Sequence, residues 1–184
     1  MLKKKLVALV LAALTMLFAV GCGGEEEELG MDPESMAVAY MKAFIECDTD
    51  AALDAANIDA IKDMLWYYSG DDYSYSEFED MWDEMYDRML AERNEPYANE
   101  MLSEEYGDDY EVSCEVVAVR NATSDELRYY GSFWDMWSSI EYDKGKVVSV
   151  KVSISGSSDS SSNTFDVPVM YFDGQWLIPI DDFK

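Results

Sequence analysis

The chain has 184 residues, of which 13 are basic and 39 are acidic, so its formal net charge is −26, and it contains no histidine. This charge repels phosphate backbones, which excludes nucleic-acid binding through counterion release. Without imidazole, a Ser-His-Asp triad and an HExxH zinc site are both excluded, although an apolar content of 49% is ample for a folded domain.

The first 21 residues have the parts of an export signal. Lys3, Lys4 and Lys5 precede a largely apolar run from Leu6 to Val20. As a helix this run would reach about 22 Å, which is short of the roughly 30 Å hydrocarbon core of a bilayer. It is therefore predicted to be a signal segment and not a stable membrane span.

The end of this segment, Ala19-Val20-Gly21-Cys22, resembles a bacterial lipobox, with Ala19 where leucine is commoner. The resemblance implies cleavage after residue 21 and lipid attachment at Cys22, which would anchor the protein to the outer side of the cell membrane. Residues 22–31 would then form an acidic Gly/Glu tether and 32–184 a single domain. The alternatives are an ordinary signal peptide cut nearby and an uncleaved N-terminal anchor.

Capping residues and helical spacing predict three helices between residues 32 and 70. Asp32 is the expected N-cap of the first helix, with Pro33 in its first turn. The first helix is predicted to end near residue 48. The second should cover 51–56, capped by Thr49-Asp50, and the third about 59–68, ended by Ser69-Gly70.

A fourth helix, with Ser76 as its expected cap, has the clearest amphipathic pattern. Its apolar positions recur at helical spacing and are Phe78, Met81, Trp82, Met85, Tyr86, Met89 and Leu90. Pro96 interrupts the pattern, and a further helix carrying Met101 and Leu102 is expected to end at Gly107.

From Tyr110 onward the apolar period becomes two, which predicts strands. A half-buried strand around Val112 and Cys114 is followed by a helix capped by Ser124-Asp125-Glu126. A strand with apolar positions 148, 150, 152 and 154, a flexible loop over 155–163 and a strand with apolar positions 165, 167, 169 and 171 come next. Asp173-Gly174 is a strong turn signal before a last strand over 175–180.

This order resembles a known family. The resemblance lies in two segments. One is the first helix, from Met36 to Phe44, and the other is the ending Val167-Pro168-Val169-Met170-Tyr171-Phe172-Asp173-Gly174-Gln175-Trp176-Leu177-Ile178. Both are similar to small Gram-positive lipoproteins with a nuclear-transport-factor-2-like (cystatin-like) domain. The resemblance implies an α+β fold in which N-terminal helices pack on a curved, mainly antiparallel, cone-like sheet of about four strands. The acidic helices before Tyr110 and the helix after Ser124 depart from that pattern.

The cysteines leave two interpretations open. If Cys22 carries the lipid, Cys47 and Cys114 remain, and an oxidising exterior permits a disulfide between them. Two buried free thiols are the alternative, because the sequence does not give the distance that a bridge requires.

Aromatic side chains are the candidates for a ligand pocket: Tyr40, Trp82, Tyr86, Trp134 and Trp137. Core packing explains most of the aromatic positions equally well, since they fall at helical spacing. Residues 71–109 hold 15 acidic side chains, but no EF-hand loop occurs in the chain. A solvated acidic face is therefore favoured over a Ca²⁺ site, and no metal or cofactor is predicted.

Two functions remain open at this level. The first is a non-catalytic binding or interaction module, held at the membrane by its lipid, whose partner is a cationic envelope protein or a small apolar ligand. The second is a surface enzyme that uses Asp, Glu and Tyr as acid and base groups, for which Tyr40 and Asp166 can be imagined as donor and base. No motif assigns a catalytic residue.

Overall fold

The structure is a computed structural model that describes residues 31–70, 73–93, 97–132 and 140–180. The predicted export signal, the lipid site Cys22 and residues 23–30 of the tether lie outside these ranges, as do Pro96, Trp134 and Trp137. Six helices and four strands form in the described residues. They are α1 (Pro33–Ile45), α2 (Thr49–Ala55), α3 (Ile58–Ser69), α4 (Tyr75–Arg93), α5 (Tyr97–Tyr106), β1 (Glu111–Asn121), α6 (Ser124–Gly131), β2 (Lys144–Ser155), β3 (Ser160–Phe172) and β4 (Gln175–Leu177).

The predicted fold class is confirmed: the protein is α+β, with an open antiparallel sheet. The strands follow one another in the order β1-β2-β3-β4. Helix α1 packs across β1, β2 and β3, while α2 packs on α1 and α3 packs on β4. The N-terminal helices therefore cover one face of the sheet, as a two-layer domain requires.

The first helix begins as predicted. The Asp32 carboxylate accepts hydrogen bonds from the backbone N–H groups of Glu34 and Ser35, each at 3.1 Å, and Pro33 occupies the first turn. These contacts satisfy amide donors that have no partner within the helix. The helix ends at Ile45, slightly before the predicted boundary.

Three other predicted caps are wrong by one or two residues. Helix α2 is capped by Asp48, whose carboxylate accepts from the Ala51 N–H at 3.1 Å, and not by Thr49-Asp50. Ser74 replaces Ser76 as the cap of α4, and Thr123 replaces Ser124 for α6. For α4 and α6 the reason is the capping box: Ser74 and Thr123 each have a glutamate three residues later, which accepts a hydrogen bond from the cap backbone.

The β2–β3 hairpin is longer than predicted. Ser160 to Asn163 pair with the last residues of β2, so the expected loop over 155–163 shrinks to residues 156–159. The Gly156 N–H donates to the Asp159 carbonyl at 3.0 Å and closes this turn. Serine and asparagine in this stretch are exposed and extend a ladder that the valines have already set in register.

The last strand is shorter than predicted. The Asp173-Gly174 turn forms with positive φ at both residues, 45° and 85°, and joins β3 to β4. After Leu177 the chain leaves the sheet, because the Ile178 N–H donates to the Ala56 carbonyl at 3.1 Å. Residues 178–180 therefore run against the α2–α3 junction instead of extending β4.

The main core lies between the helices and the even-numbered side chains of β2. Val148, Val150 and Val152 are buried there, together with Val167 and Val169 of β3. All members of the core cluster lie between residues 36 and 180. A chain that starts at residue 25 therefore retains the whole described core.

The opposite face of the sheet is covered at one end by α6. A Cβ atom added at Gly145 would lie 2.8 Å from Leu127 of α6 and 2.6 Å from the Met170 sulfur of β3. A side chain at this position would have to displace the ends of Leu127 and Met170, which favours a glycine in β2.

Glu126 fixes the start of α6. The Arg120 guanidinium donates to its two carboxylate oxygens at 2.8 and 2.6 Å, and the Thr123 backbone and hydroxyl donate to it at 2.8 and 2.9 Å. The hydrogen bond from Arg120, followed by those from Thr123, lowers the pKa of Glu126 from its usual 4.5 to about 2.

A lowered pKa predicts a stability contribution that is lost in acid. The unfolded chain takes up this proton near pH 4.5, whereas the folded chain does so only near pH 2, so stability falls across that window. We expect Glu126→Gln to lower the unfolding midpoint at neutral pH and to converge with the wild type as the pH approaches 2. Thermal unfolding of both proteins across this pH range measures the difference. A gap that is independent of pH would contradict the assignment.

Candidate functional site: a groove between the first helix and the third strand

A groove runs between α1, β3 and the segment that follows β4. It encloses about 320 Å³. Its lining is mostly apolar and consists of Tyr40, Met41, Phe44, Ile45, Phe165, Asp166, Val167, Pro168, Ile178 and Pro179. Its size is at the lower end of the range for small-ligand sites.

Helix α1 supplies one wall through its periodicity. Tyr40 and Phe44 are four residues apart, so they stack along one side of the helix with ring centroids 6.1 Å apart. Met41 and Ile45 form the adjacent row and lie deeper. Phe44 remains 45% exposed at the rim of the groove.

The C-terminal segment closes one end of the groove and is held by the α2–α3 junction. The Asn57 side-chain amide donates to the Trp176 carbonyl at 2.8 Å, and the Ala56 carbonyl accepts from Ile178. These two contacts fix Ile178 and Pro179 beside α1.

A second hollow of about 300 Å³ adjoins the same helix. It is lined by Ala43, Phe44, Cys47, Asp48, Thr49 and Ala52. Phe44 lines both hollows, so together they offer an apolar surface longer than either one alone. Burial raises the pKa of the Cys47 thiol, which makes it a poor nucleophile at neutral pH.

Asp166 is the one acidic residue among those that line the groove. Its carboxylate is exposed and accepts a hydrogen bond from the Ser149 hydroxyl at 2.6 Å. Within the described ranges, no basic side chain lies within ion-pair distance of it. The groove walls are therefore mostly apolar, and the Asp166 carboxylate lies at the groove edge on the other face of the sheet, where Arg120 interacts with it electrostatically beyond ion-pair distance.

The imagined donor and base, Tyr40 and Asp166, do line the same groove. No hydrogen bond joins them in the part of the chain that the structure describes. The Ser149 hydroxyl, and not a tyrosine, occupies one Asp166 oxygen.

The structure separates the other aromatic candidates. Trp82 is only 6% exposed and belongs to the core, and Tyr86 packs against that core from α4. Burial, followed by the nearby Asp50, Asp54 and Asp59, raises the pKa of Tyr86, so its hydroxyl faces the acidic α2–α3 region. Tyr40 is thus the one described candidate that lines the groove, and Trp134 and Trp137 lie outside the described residues.

Phe165, Pro168 and Pro179 line the groove and were not predicted as site residues. The signal for the two prolines is their place in a strand pattern, since proline is confined to edges and bulges. Pro168 lies opposite Val147 on β2, beyond the short stretch that pairs with β4. The sequence thus indicates that Pro168 lies at an edge of the sheet, but it does not indicate that this edge lies next to α1.

A third cavity, of about 440 Å³, is polar. It lies at the other end of the sheet, between Asn121, Lys144, Lys146 and Trp176. The Lys144 Nζ is 4.2 Å from the Tyr171 ring centroid and 5.2 Å from that of Trp176. These cation–π contacts account for the orientation of Lys144 without a ligand.

Cys47 and Cys114, considered above as a disulfide pair, are both free thiols in the structure. Burial and then the nearby Glu46 raise the pKa of Cys114. Among the described residues, no three Cys, Asp or Glu side chains converge to hold a metal ion. Within the same ranges, no helix combines the length and apolarity needed to cross a bilayer.

Comparison with protein-family models, with curated proteins and with solved structures finds no match. The function of the chain is therefore inferred from the geometry of the groove.

Proposed function

We propose that the chain is an exported lipoprotein, similar to the small Gram-positive lipoproteins named above, anchored through Cys22 and carrying a non-catalytic binding domain. The export signal and lipobox support the anchor, and the groove between α1 and β3 supports the binding role. The single observation that carries the proposal is the exposure of Phe44 and Phe165 in an otherwise apolar groove. Exposed apolar side chains around a concave site mark places where an apolar ligand or segment is bound.

The binding role predicts that a neutral apolar fluorophore occupies the groove. The test is titration of N-phenylnaphthylamine into the chain lacking residues 1–24, which retains the whole described core. Phe165→Asp should weaken binding about tenfold or more, because it removes an apolar wall and adds a second negative charge beside Asp166; a tenfold loss corresponds to about 1.4 kcal/mol.

The matched control is Val117→Asp, which places the same charge on another exposed apolar position, in β1. It should leave the affinity unchanged. Equal affinity of the wild type and Phe165→Asp, or equal losses in both variants, would contradict a specific groove.

A further inference from the structure

The third strand has an open edge beside the groove. Strand β2 pairs with β3 along its length, but β4 pairs with only Met170, Tyr171 and Phe172. Within the described residues, the stretch 160–169 of β3 therefore has no strand partner on its other side. Such an edge presents unpaired backbone groups that can template another strand.

The register shows which backbone groups face this edge. The Ala122 N–H donates to the Gly145 carbonyl at 2.8 Å, so the Gly145 backbone faces β1. Because backbone direction alternates along an antiparallel strand, residues 146, 148 and 150 of β2 face β3 and bond to residues 169, 167 and 165. The backbones of Thr164, Asp166 and Pro168 consequently point to the open edge.

The β3–β4 turn gives the same result independently. A two-residue turn makes Phe172 and Gln175 a hydrogen-bonded pair, so the Phe172 backbone faces β4. Counting back by twos along β3 reaches Pro168, Asp166 and Thr164 on that side. Proline is tolerated at residue 168 because its missing N–H would have faced outward.

The open edge and the groove are the same place. Phe165 and Val167 point their side chains to the helix-covered face, where the groove is bounded by Tyr40 and Phe44. Asp166 lies between these two residues in the strand, so its carboxylate is on the opposite face of the sheet, beside Ser149. A strand added here would put alternate side chains into the apolar groove and the intervening ones near the Asp166 charge.

We propose that the occupant of the groove is an extended peptide segment of a partner protein, which adds as a fifth strand to β3. Its groove-facing residues are apolar, and it carries a basic residue near Asp166. Charge complementarity supports this chemistry, since Asp166 forms no ion pair in the described ranges, with Arg120 acting on it only from a longer distance, and the chain as a whole has a net charge of −26. The inference rests on the proposed function and specifies its ligand.

The test uses the full chain, lipid-anchored in phospholipid nanodiscs. The probe is a synthetic nine-residue peptide that alternates valine with threonine and carries one central lysine. We expect binding to slow amide hydrogen exchange at Ser162 and Asp166, whose N–H groups face the open edge; the Thr164 N–H also faces it but donates to the Asn163 side-chain oxygen at 3.1 Å in the free protein. A version of the peptide with a central glutamate should bind more weakly by roughly threefold to fivefold, the size expected of an exposed ion pair, and Asp166→Asn should abolish that preference.

Two controls separate strand addition from simple apolar contact. Peptide methylated at alternate backbone nitrogens keeps its side chains but loses the donors that face β3, and it should bind at least about tenfold more weakly. Thr164→Pro removes one outward N–H, together with its local hydrogen bond to the Asn163 side chain, without touching the ladder to β2, and it should weaken binding similarly.

Several outcomes would overturn the inference. Equal binding of methylated peptide would reject strand addition while leaving the groove as an apolar site. If the protein binds N-phenylnaphthylamine but not the peptide, strand addition is also rejected and the groove stays an apolar site. If neither ligand binds, the proposed function is rejected as well. Peptide-induced protection in β1 instead of β3 would place the docking edge elsewhere. Protection of β3 that rises with protein concentration, without peptide, would assign the edge to a second copy of the chain.

Discussion

Phe78→Ala is expected to lower the free energy of unfolding by about 3–5 kcal/mol, the range for truncating a large buried aromatic side chain. Phe78 is 1% exposed and packs against Trp66, with ring centroids 5.2 Å apart. This contact joins α4 to α3, and the cavity left by alanine could be filled only if one of these helices moved. Urea-induced unfolding followed by circular dichroism measures the loss.

The matched control for Phe78 is Met101→Ala. Met101 is also on a helix, in α5, but is 61% exposed, so its truncation should change stability by less than about 0.5 kcal/mol. Similar losses in the two variants would show that α4 does not share the core described above.

Asn57→Ala is expected to cost about 2–4 kcal/mol, because one side chain and its backbone perform three tasks. Its φ of 60° and ψ of 61° lie in the left-handed region, which costs an alanine roughly 1–2 kcal/mol. Its side-chain oxygen accepts from the Ala60 N–H at 3.4 Å as the cap of α3. Its amide donates to the Trp176 carbonyl, which would lose its partner in the variant.

Two further substitutions at residue 57 separate these contributions. Asn57→Gly tolerates the left-handed backbone but loses both hydrogen bonds, so its stability should lie between wild type and Asn57→Ala. Asn57→Asp keeps the cap but not the donor to Trp176, and it should also weaken fluorophore binding, because the segment carrying Ile178 and Pro179 is released. Calorimetric melting and the titration described above provide both measurements. Equal stability of the glycine and alanine variants would show that the backbone conformation contributes nothing.

The features that sequence predicted well are those with a local physical cause. Asp32 and Pro33 define a helix start, Gly107 ends α5 with a φ of 98°, and Asp173-Gly174 forms the expected turn, because each depends only on neighbouring residues. The alternation of valines in β2 and β3 likewise predicted which face of the sheet is buried. Cap positions were missed where two neighbouring residues could both cap, as with Ser74 and Ser76, because Ser76 also has a glutamate three residues later.

The candidate site was harder to predict because it depends on contacts between distant segments. Tyr40 and Asp166 are far apart in sequence, and only the packing of α1 across the sheet brings them to one groove. Aromatic residues were an ambiguous signal: Trp82 fills the core, whereas Phe165, in a strand, remains exposed. Sequence periodicity identifies the face that a residue occupies but not the element that lies opposite.

The packing of α1 on three strands also has a consequence for the order of folding. Helices α1 to α4 and the β2–β3 hairpin can form from contacts that are close in sequence, and closing such short loops costs little chain entropy. Contacts of α1 with β1, β2 and β3, by contrast, join the beginning of the domain to its end. We therefore expect the groove to be completed late in folding, when the N-terminal helix docks on the meander. Binding of a ligand in the groove would then indicate that the chain has folded from end to end.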